Sequence, residues 1–163
     1  MRFSLIDRIT ELQPGEQIRA VKVVSLAEEY LADHFPNFPV LPGVMMLEAM
    51  TQSGAWLVRA SEDFAHSIVT LKEARNIKYA DFVAPGRTLK LSAEILDQDE
   101  RTTKLKTQGT IDDHVAVSAR LILERYNLRD DDPRQTTTDE RVIRSMRELF
   151  ATLYRGAEYN VTF

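Results

Sequence analysis

Alternating and helical spacings of apolar residues divide the chain into elements before any side chain is singled out. Leu5, Ile6 and Ile9 in FSLIDRITEL recur at helical spacing, which predicts a short helix closed by Gln13–Glu16. QIRAVKVVS is β-branched and alternating, so it predicts a strand, and SLAEEYLADHF predicts a second short helix. From Pro42 the period lengthens. Val44, Leu47, Ala55 and Val58, with Leu57 beside them, predict a largely buried helix running to about Ser61. Pro42 and Gly43 suit its first turn, where missing or unpaired N–H groups are normal. Met45, Met46, Met50 and Trp56 widen its apolar surface beyond one stripe, so the rest of the domain is expected to wrap it.

Four long alternating segments follow: HSIVTLKEARNIKYA, RTLKLSAEILDQD, TTKLKTQGTID and HVAVSARLILERY. VAPGR, DQDER and DDH punctuate them. A strand, a helix and four strands in meander order predict an antiparallel sheet curled around one central helix, an α+β fold. After Tyr126 the composition shifts, which divides the chain into a body, residues 1–126, and a C-terminal segment, 127–163. That segment reads as a charged linker, NLRDDDPRQ, and an amphipathic helix with Val142, Met146, Leu149 and Leu153 on one face and Ile143 and Phe150 alongside. Thr137 with Glu140 predicts a capping box, and Gly156 suits the C′ position. The helix is expected to pack on the body or on a neighbouring subunit.

Composition narrows the function classes. A 44% hydrophobic, 28% charged chain of 163 residues is an ordinary soluble globular domain large enough for a core. A net charge of -4 gives no case for nucleic acid or an anionic membrane as partner. No run of apolar residues is long enough to span a bilayer, and MRFSLIDRIT does not read as a signal peptide. The absence of cysteine excludes disulfides, thiol nucleophiles and Cys-based metal sites, and suits a reducing compartment, so a cytoplasmic location is expected.

Candidate chemistry is concentrated in HFPNFPVLPGVMMLEAM, His34 to Met50. Pro36, Pro39 and Pro42 fix backbone angles and hold His34 at a defined offset from the helix start. The first helical turn offers unpaired N–H groups and the positive end of the dipole. Gly43 lets a ligand oxygen approach that backbone. Glu48 and Gln52 lie four apart on one face, one turn beyond Val44. A base, an oxyanion donor set and a carboxylate near one helix end suit proton abstraction beside a carbonyl. Each part alone has a plainer reading: a structural histidine, or a glutamate paired with an arginine or set at an interface.

Taken together, HFPNFPVLPGVMMLEAMTQ resembles the signature of the β-hydroxyacyl-acyl-carrier-protein dehydratases of the FabZ type, HFPGxPVxPGVLxxEAxxQ, with the same separation of His34 and Glu48. The resemblance extends to LIDRITELQPGEQIRAVKVVS upstream and IKYADFVAPGRTLKLSAEIL downstream, about residues 4 to 125. It implies a hot-dog fold, in which a curved antiparallel sheet wraps a long helix, and a homodimer with active sites between subunits, in some members a hexamer. It also implies His34 as base, Glu48 of the neighbouring chain as acid, the Gly43 N–H on the thioester carbonyl and Gln52 orienting Glu48. No metal or other cofactor is implied, since the substrate arrives as a phosphopantetheine thioester on acyl carrier protein. Glutamate at the acid position resembles the branch that dehydrates without isomerising. Asn37 stands where the family usually has glycine, a substitution that a left-handed turn tolerates. Asn37, Phe35, Phe38 and the Met45–Met46 pair are candidates for shaping the acyl channel.

Two weaker features remain. Lys72, Arg75, Lys78, Arg87 and Lys90 form a locally basic strip suited either to an acidic carrier protein or to a solvated strand face, with Arg59 a further candidate. His66 and His114 are expected in solvated turns. The competing functions are a hot-dog thioesterase or coenzyme A hydratase, and a non-catalytic acyl-binding subunit.

Overall fold

The computed structural model of the protein describes residues 3–35 and 37–155. Its alternating segments become one six-stranded antiparallel sheet: β1 (Arg8–Gln13), β2 (Gln17–Val23), β3 (Ile68–Tyr79), β4 (Thr88–Gln98), β5 (Thr102–Ile111) and β6 (His114–Tyr126), in the order β1-β2-β4-β5-β6-β3. Ile18 and Ala20, Leu89, Leu91 and Ala93, Leu105, and Val117, Ala119, Leu121 and Leu123 all turn inward, as a period of two requires. The β5–β6 turn is the pair Asp112–Asp113, both left-handed (φ 47° and 69°), the geometry of a two-residue hairpin.

The helix the sheet wraps is α2, Gly43–Ser61. Its buried face is rotated from the one that hydrophobic spacing predicts. Met46, Ala49, Met50, Ser53, Gly54 and Leu57 point into the core, while Val44 is 68% exposed and Leu47 and Ala55 are only half-buried. Close approach to the sheet is the reason. A Cβ on Gly54 would lie 2.5 Å from Leu105 Cδ1, so this position on the inward face must stay small. Ser53 satisfies its hydroxyl on the Ala49 carbonyl at 3.0 Å.

The N-terminal helix is not formed. FSLIDRITEL leads into β1, which pairs with β2 through a turn whose Gly15 has φ 81°. Leu5, Ile6 and Ile9 are buried all the same. Their spacing satisfies either element, and cross-strand pairing with Ala20 and Val21 decides between them. The predicted short helix survives as a single turn, α1 (Tyr30–Asp33).

Residues 127–135 form two 3-10 turns, Leu128–Asp130 and Pro133–Gln135, that run directly into α3, Thr136–Leu153. The predicted Thr137–Glu140 capping box is absent, because the helix starts earlier and a different residue is drawn inward. Asp139 is fully buried and accepts from Ser67 Oγ at 2.5 Å and from the Leu128 and Arg129 N–H groups at 3.0 Å. Burial works against its charge, but these three donors outweigh it and hold the carboxyl below the ordinary aspartate range. Phe150 of α3 stacks near Trp56 and Phe64, at ring distances of 6.0 and 5.4 Å, and Leu153 is buried in the main core. Gly156 lies outside the described residues. Among those residues no helix is long and apolar enough to cross a membrane.

Candidate active site

The site is assembled from the 34–42 loop and the first three turns of α2. Val40, Leu41 and Pro42 are buried, and the Leu41 N–H donates to the Val83 carbonyl at 2.8 Å, which pins the end of the loop to the β3–β4 connection. Pro42 is the N-cap of α2, with φ -54° and ψ 139°. The Met45 and Met46 N–H groups both turn back to the Pro42 carbonyl, at 2.9 and 3.2 Å. That leaves the N–H groups of Gly43 and Val44 without an acceptor among the described residues, at the positive end of a helix of 19 residues. The Val44 side chain itself points outward.

Gly43 has a second constraint that spacing did not reveal. A Cβ there would meet the Tyr79 ring, 3.0 Å from Cε1 and 3.2 Å from Cδ1. Tyr79, at the end of β3, therefore lies beside the helix start, and the glycine makes room for its ring as well as for any ligand. No pattern in the sequence pairs these two residues, which meet only through the curl of the sheet.

His34 follows α1 in extended backbone, half-buried, with its ring 4.4 Å from that of Phe35. The positive φ of this loop falls on Phe35 (φ 51°), a costly geometry for a bulky side chain and one associated with functional loops. The Phe38 N–H donates to the Phe35 carbonyl at 2.7 Å and closes a turn that carries Asn37 exposed at its tip. Phe35 and Phe38 are more than half exposed, and Phe38 packs edge-on against Phe82 at 5.6 Å.

Glu48 and Gln52 meet as their spacing predicts. Gln52 Nε2 donates to Glu48 Oε1 at 2.9 Å and to the Phe3 carbonyl at 3.1 Å, and its Oε1 accepts the Leu5 N–H at 2.9 Å. The backbone donor at Leu5 fixes which way round the amide lies, so the Nε2 face must turn toward the carboxylate. This anchoring by the N-terminal segment has no signal in the sequence. Glu48 has no cationic partner among the described residues, which removes the plainer reading of a glutamate paired with an arginine. No hydrogen bond or ion pair joins Glu48 to His34 within one chain.

The matches to known proteins give the family and the fold. The profile of the FabA-like domain matches residues 1–120. The chain belongs to the FabA-like domain family. Among curated relatives, it is 35% identical to the 3-hydroxyacyl-(acyl-carrier-protein) dehydratase FabZ of Ruminiclostridium cellulolyticum over 119 residues, covering 73% of this chain and 84% of that one. To the dehydratase FabZ of Oceanobacillus iheyensis it is 37% identical over 119 residues, 73% of this chain and 85% of that one. A chain of the dehydratase heterocomplex ApeI:P from Xenorhabdus doucetiae superposes with a TM-score of 0.64 at 20% identity, covering 77% of this chain and 84% of that one. A Streptococcus mutans protein bound to acetyl CoA superposes at 0.59 with 13% identity, over 77% and 92% of the two chains. The fold of this FabA-like protein is thus the hot-dog fold, and α3 lies beyond the part the family profile matches.

The weaker candidates resolve differently. The basic strip is largely neutralised: Arg75 is held by both oxygens of Glu73 at 2.7 Å, Lys72 faces Glu124 at 3.4 Å, Lys90 faces Asp113 at 3.5 Å and Arg87 pairs with Asp112. Lys78 has no such partner among the described residues. His66 is not a solvated turn residue. It is half-buried, with Nδ1 3.0 Å from Glu62 Oε2.

Proposed function

We propose that this FabA-like protein dehydrates 3-hydroxyacyl thioesters carried on acyl carrier protein to trans-2-enoyl thioesters, in the cytoplasm and in the service of fatty-acid synthesis. The observation that carries this reading is the Gln52–Glu48 pair set one turn beyond a helix start with two unpaired N–H groups, in a chain whose curated relatives are FabZ dehydratases.

Elimination of water from a 3-hydroxyacyl thioester removes an α-proton, breaks the β-carbon–oxygen bond and protonates the departing hydroxyl. In this reading the His34 imidazole takes the α-proton and Glu48 delivers a proton to the hydroxyl. Negative charge gathers on the thioester oxygen as the α-proton leaves. The Gly43 N–H, preorganised at the helix start, would stabilise that charge, an effect worth about 3–4 kcal/mol per donor in well-studied enzymes. Gln52, tied to the backbone of Phe3 and Leu5, would hold the carboxyl of Glu48 toward the substrate. The route draws on no metal or redox group.

A second copy of the chain completes the site in this reading. β3 is an edge strand of twelve residues, and Ile77, Tyr79 and Phe82 leave apolar surface exposed there beside Phe38 and Val44. An unpaired edge and an apolar strip next to the helix start are what an isologous partner would cover. With β3 edges joined, His34 of one chain would face Glu48 of the other. Lys78 is left as the cation for an acidic carrier protein.

The test is to supply 3-hydroxyacyl carrier thioesters and follow the 2-enoyl absorbance alongside a thiol reagent. Enoyl formation without thiol release supports dehydration, and thiol release without enoyl formation assigns a thioesterase instead.

A further inference from the structure

Among the described residues one half-buried cation has no counter-ion. Arg59, in the last turn of α2, is half-buried, and its Nη1 donates to the His66 and Ser67 carbonyls at 3.1 Å each. No carboxylate is paired with it among the described residues, and its Nε and Nη2 find no acceptor there. Burial pulls its pKa down to about 10, which still leaves the guanidinium charged at neutral pH. A sheltered charge with unused donors marks a place where an anion binds favourably.

Arg59 lines a cavity of about 310 Å³ with Gln52, Ala55 and Trp56 of α2 and Met146 and Leu149 of α3. Gln52, Ala55, Trp56 and Arg59 follow Glu48 by four, seven, eight and eleven residues, so all five share one helix face. Gln52 belongs to both places: it donates to Glu48 and it lines the cavity. The trough therefore starts at Gln52, the residue bonded to Glu48, and ends at the guanidinium, about 10 Å farther along the helix axis at ~1.5 Å per residue. Its far wall comes from α3, the helix outside the family-matched residues 1–120.

We propose that this trough receives the acyl chain and that Arg59 binds an anionic distal end, so that the favoured substrates are medium-length 3-hydroxyacyl thioesters bearing a terminal carboxylate. The inference rests on the dehydratase reading for the thioester end and on the Arg59 cavity for the distal end. A guanidinium fork matches a carboxylate with two parallel hydrogen bonds. A plain alkyl chain of the same length would instead cover the charge and leave its donors unpaired.

Trp56 is the single tryptophan of the chain and faces this cavity, so its fluorescence reports occupancy directly. Monomethyl decanedioate, with one carboxylate end, is titrated against methyl decanoate, its uncharged counterpart. The half-acid is expected to bind the wild type about tenfold more tightly, with the preference weakened by salt. Arg59→Met is expected to abolish the preference and Arg59→Lys to keep part of it. Because the readout is a ratio within one variant, loss of the bonds to His66 and Ser67 does not by itself move it. Equal binding of the two esters by the wild type, or a preference that survives Arg59→Met, overturns the proposal. Turnover of 3-hydroxybutyryl carrier thioester by the wild type, a chain too short to reach Arg59, tests the dehydratase reading separately. Its failure would leave the titration outcome standing on its own.

Discussion

Gln52 donates its Nε2–H to Glu48 Oε1 at 2.9 Å while its own oxygen is held by the Leu5 N–H, so the carboxyl on the central helix is oriented from the N-terminal segment. The chain that begins in an unremarkable stretch before β1 thus reaches into the site. Gln52→Glu keeps the size and the acceptor for Leu5 but loses both Nε2 donors and sets a second carboxylate against the first. Its kcat is expected to fall by about tenfold or more with KM little changed, because what is lost is the placement of a reacting group rather than substrate binding. Steady-state kinetics with a 3-hydroxyacyl carrier thioester decides. An equal rise in KM with kcat preserved would remove Gln52 from this role.

Gly54 is where the helix touches the sheet most closely. A methyl group there would lie 2.5 Å from Leu105 Cδ1, deep in the core. Gly54→Ala gains helix propensity yet is expected to destabilise the protein by about 1–3 kcal/mol through overpacking. Leu105→Val in the same chain should recover part of that loss in urea unfolding. Stabilisation by Gly54→Ala alone would show that the helix has slack against the sheet.

Asp139 ties α3 to the body. Its folded carboxyl is held below the ordinary value, so its contribution is fully present above the ordinary aspartate value of about 4 and is lost as pH falls through the lowered folded value. Protection factors in α3, corrected for the intrinsic exchange rate at each pH, should therefore be high at pH 6 and fall as the pH is lowered toward 3, sooner than those in β5. Asp139→Ala strands the Ser67 hydroxyl and the Leu128 and Arg129 N–H groups, at a cost of about 2–4 kcal/mol. The acid sensitivity of α3 should flatten in that variant. An unchanged pH profile would count against Asp139 as the tie.

Much of this arrangement can be read from the order of residues, and the exceptions share a cause. The span of α2, the β4–β5–β6 meander and the Glu48–Gln52 contact all follow from local spacing, whereas β3, predicted beside β4, pairs with β6 instead and leaves β2 beside β4, a crossover that spacing does not encode. FSLIDRITEL deceived because Leu5, Ile6 and Ile9 fit a helical face and a strand leading into a hairpin equally well, and only pairing with β2 chooses. The inward face of α2 deceived for a different reason: Gly54 faces the sheet because of its size and Ser53 can do so because its hydroxyl is satisfied within the helix, whereas a hydrophobic pattern weighs polarity. Asp139 has no signal in the sequence, since Ser67, its partner 72 residues away, is brought to it only by the folded body. Tyr79 over Gly43 and the apolar trough ending at Arg59 are likewise long-range, and neither leaves a mark at short spacing.

In the proposed mechanism His34 and Glu48 act together across two chains on a 3-hydroxyacyl thioester. The most direct test measures 2-enoyl formation by His34→Ala, by Glu48→Gln, and by an equimolar mixture refolded together, with native mass confirming mixed dimers. Each variant alone should lose nearly all turnover, by about a thousandfold or more. In the mixture half the dimers carry one intact site of two, so activity should return to about a quarter of wild type. Turnover retained by either variant alone, or a mixture that forms mixed dimers and stays inactive, would rule out a site shared between two chains.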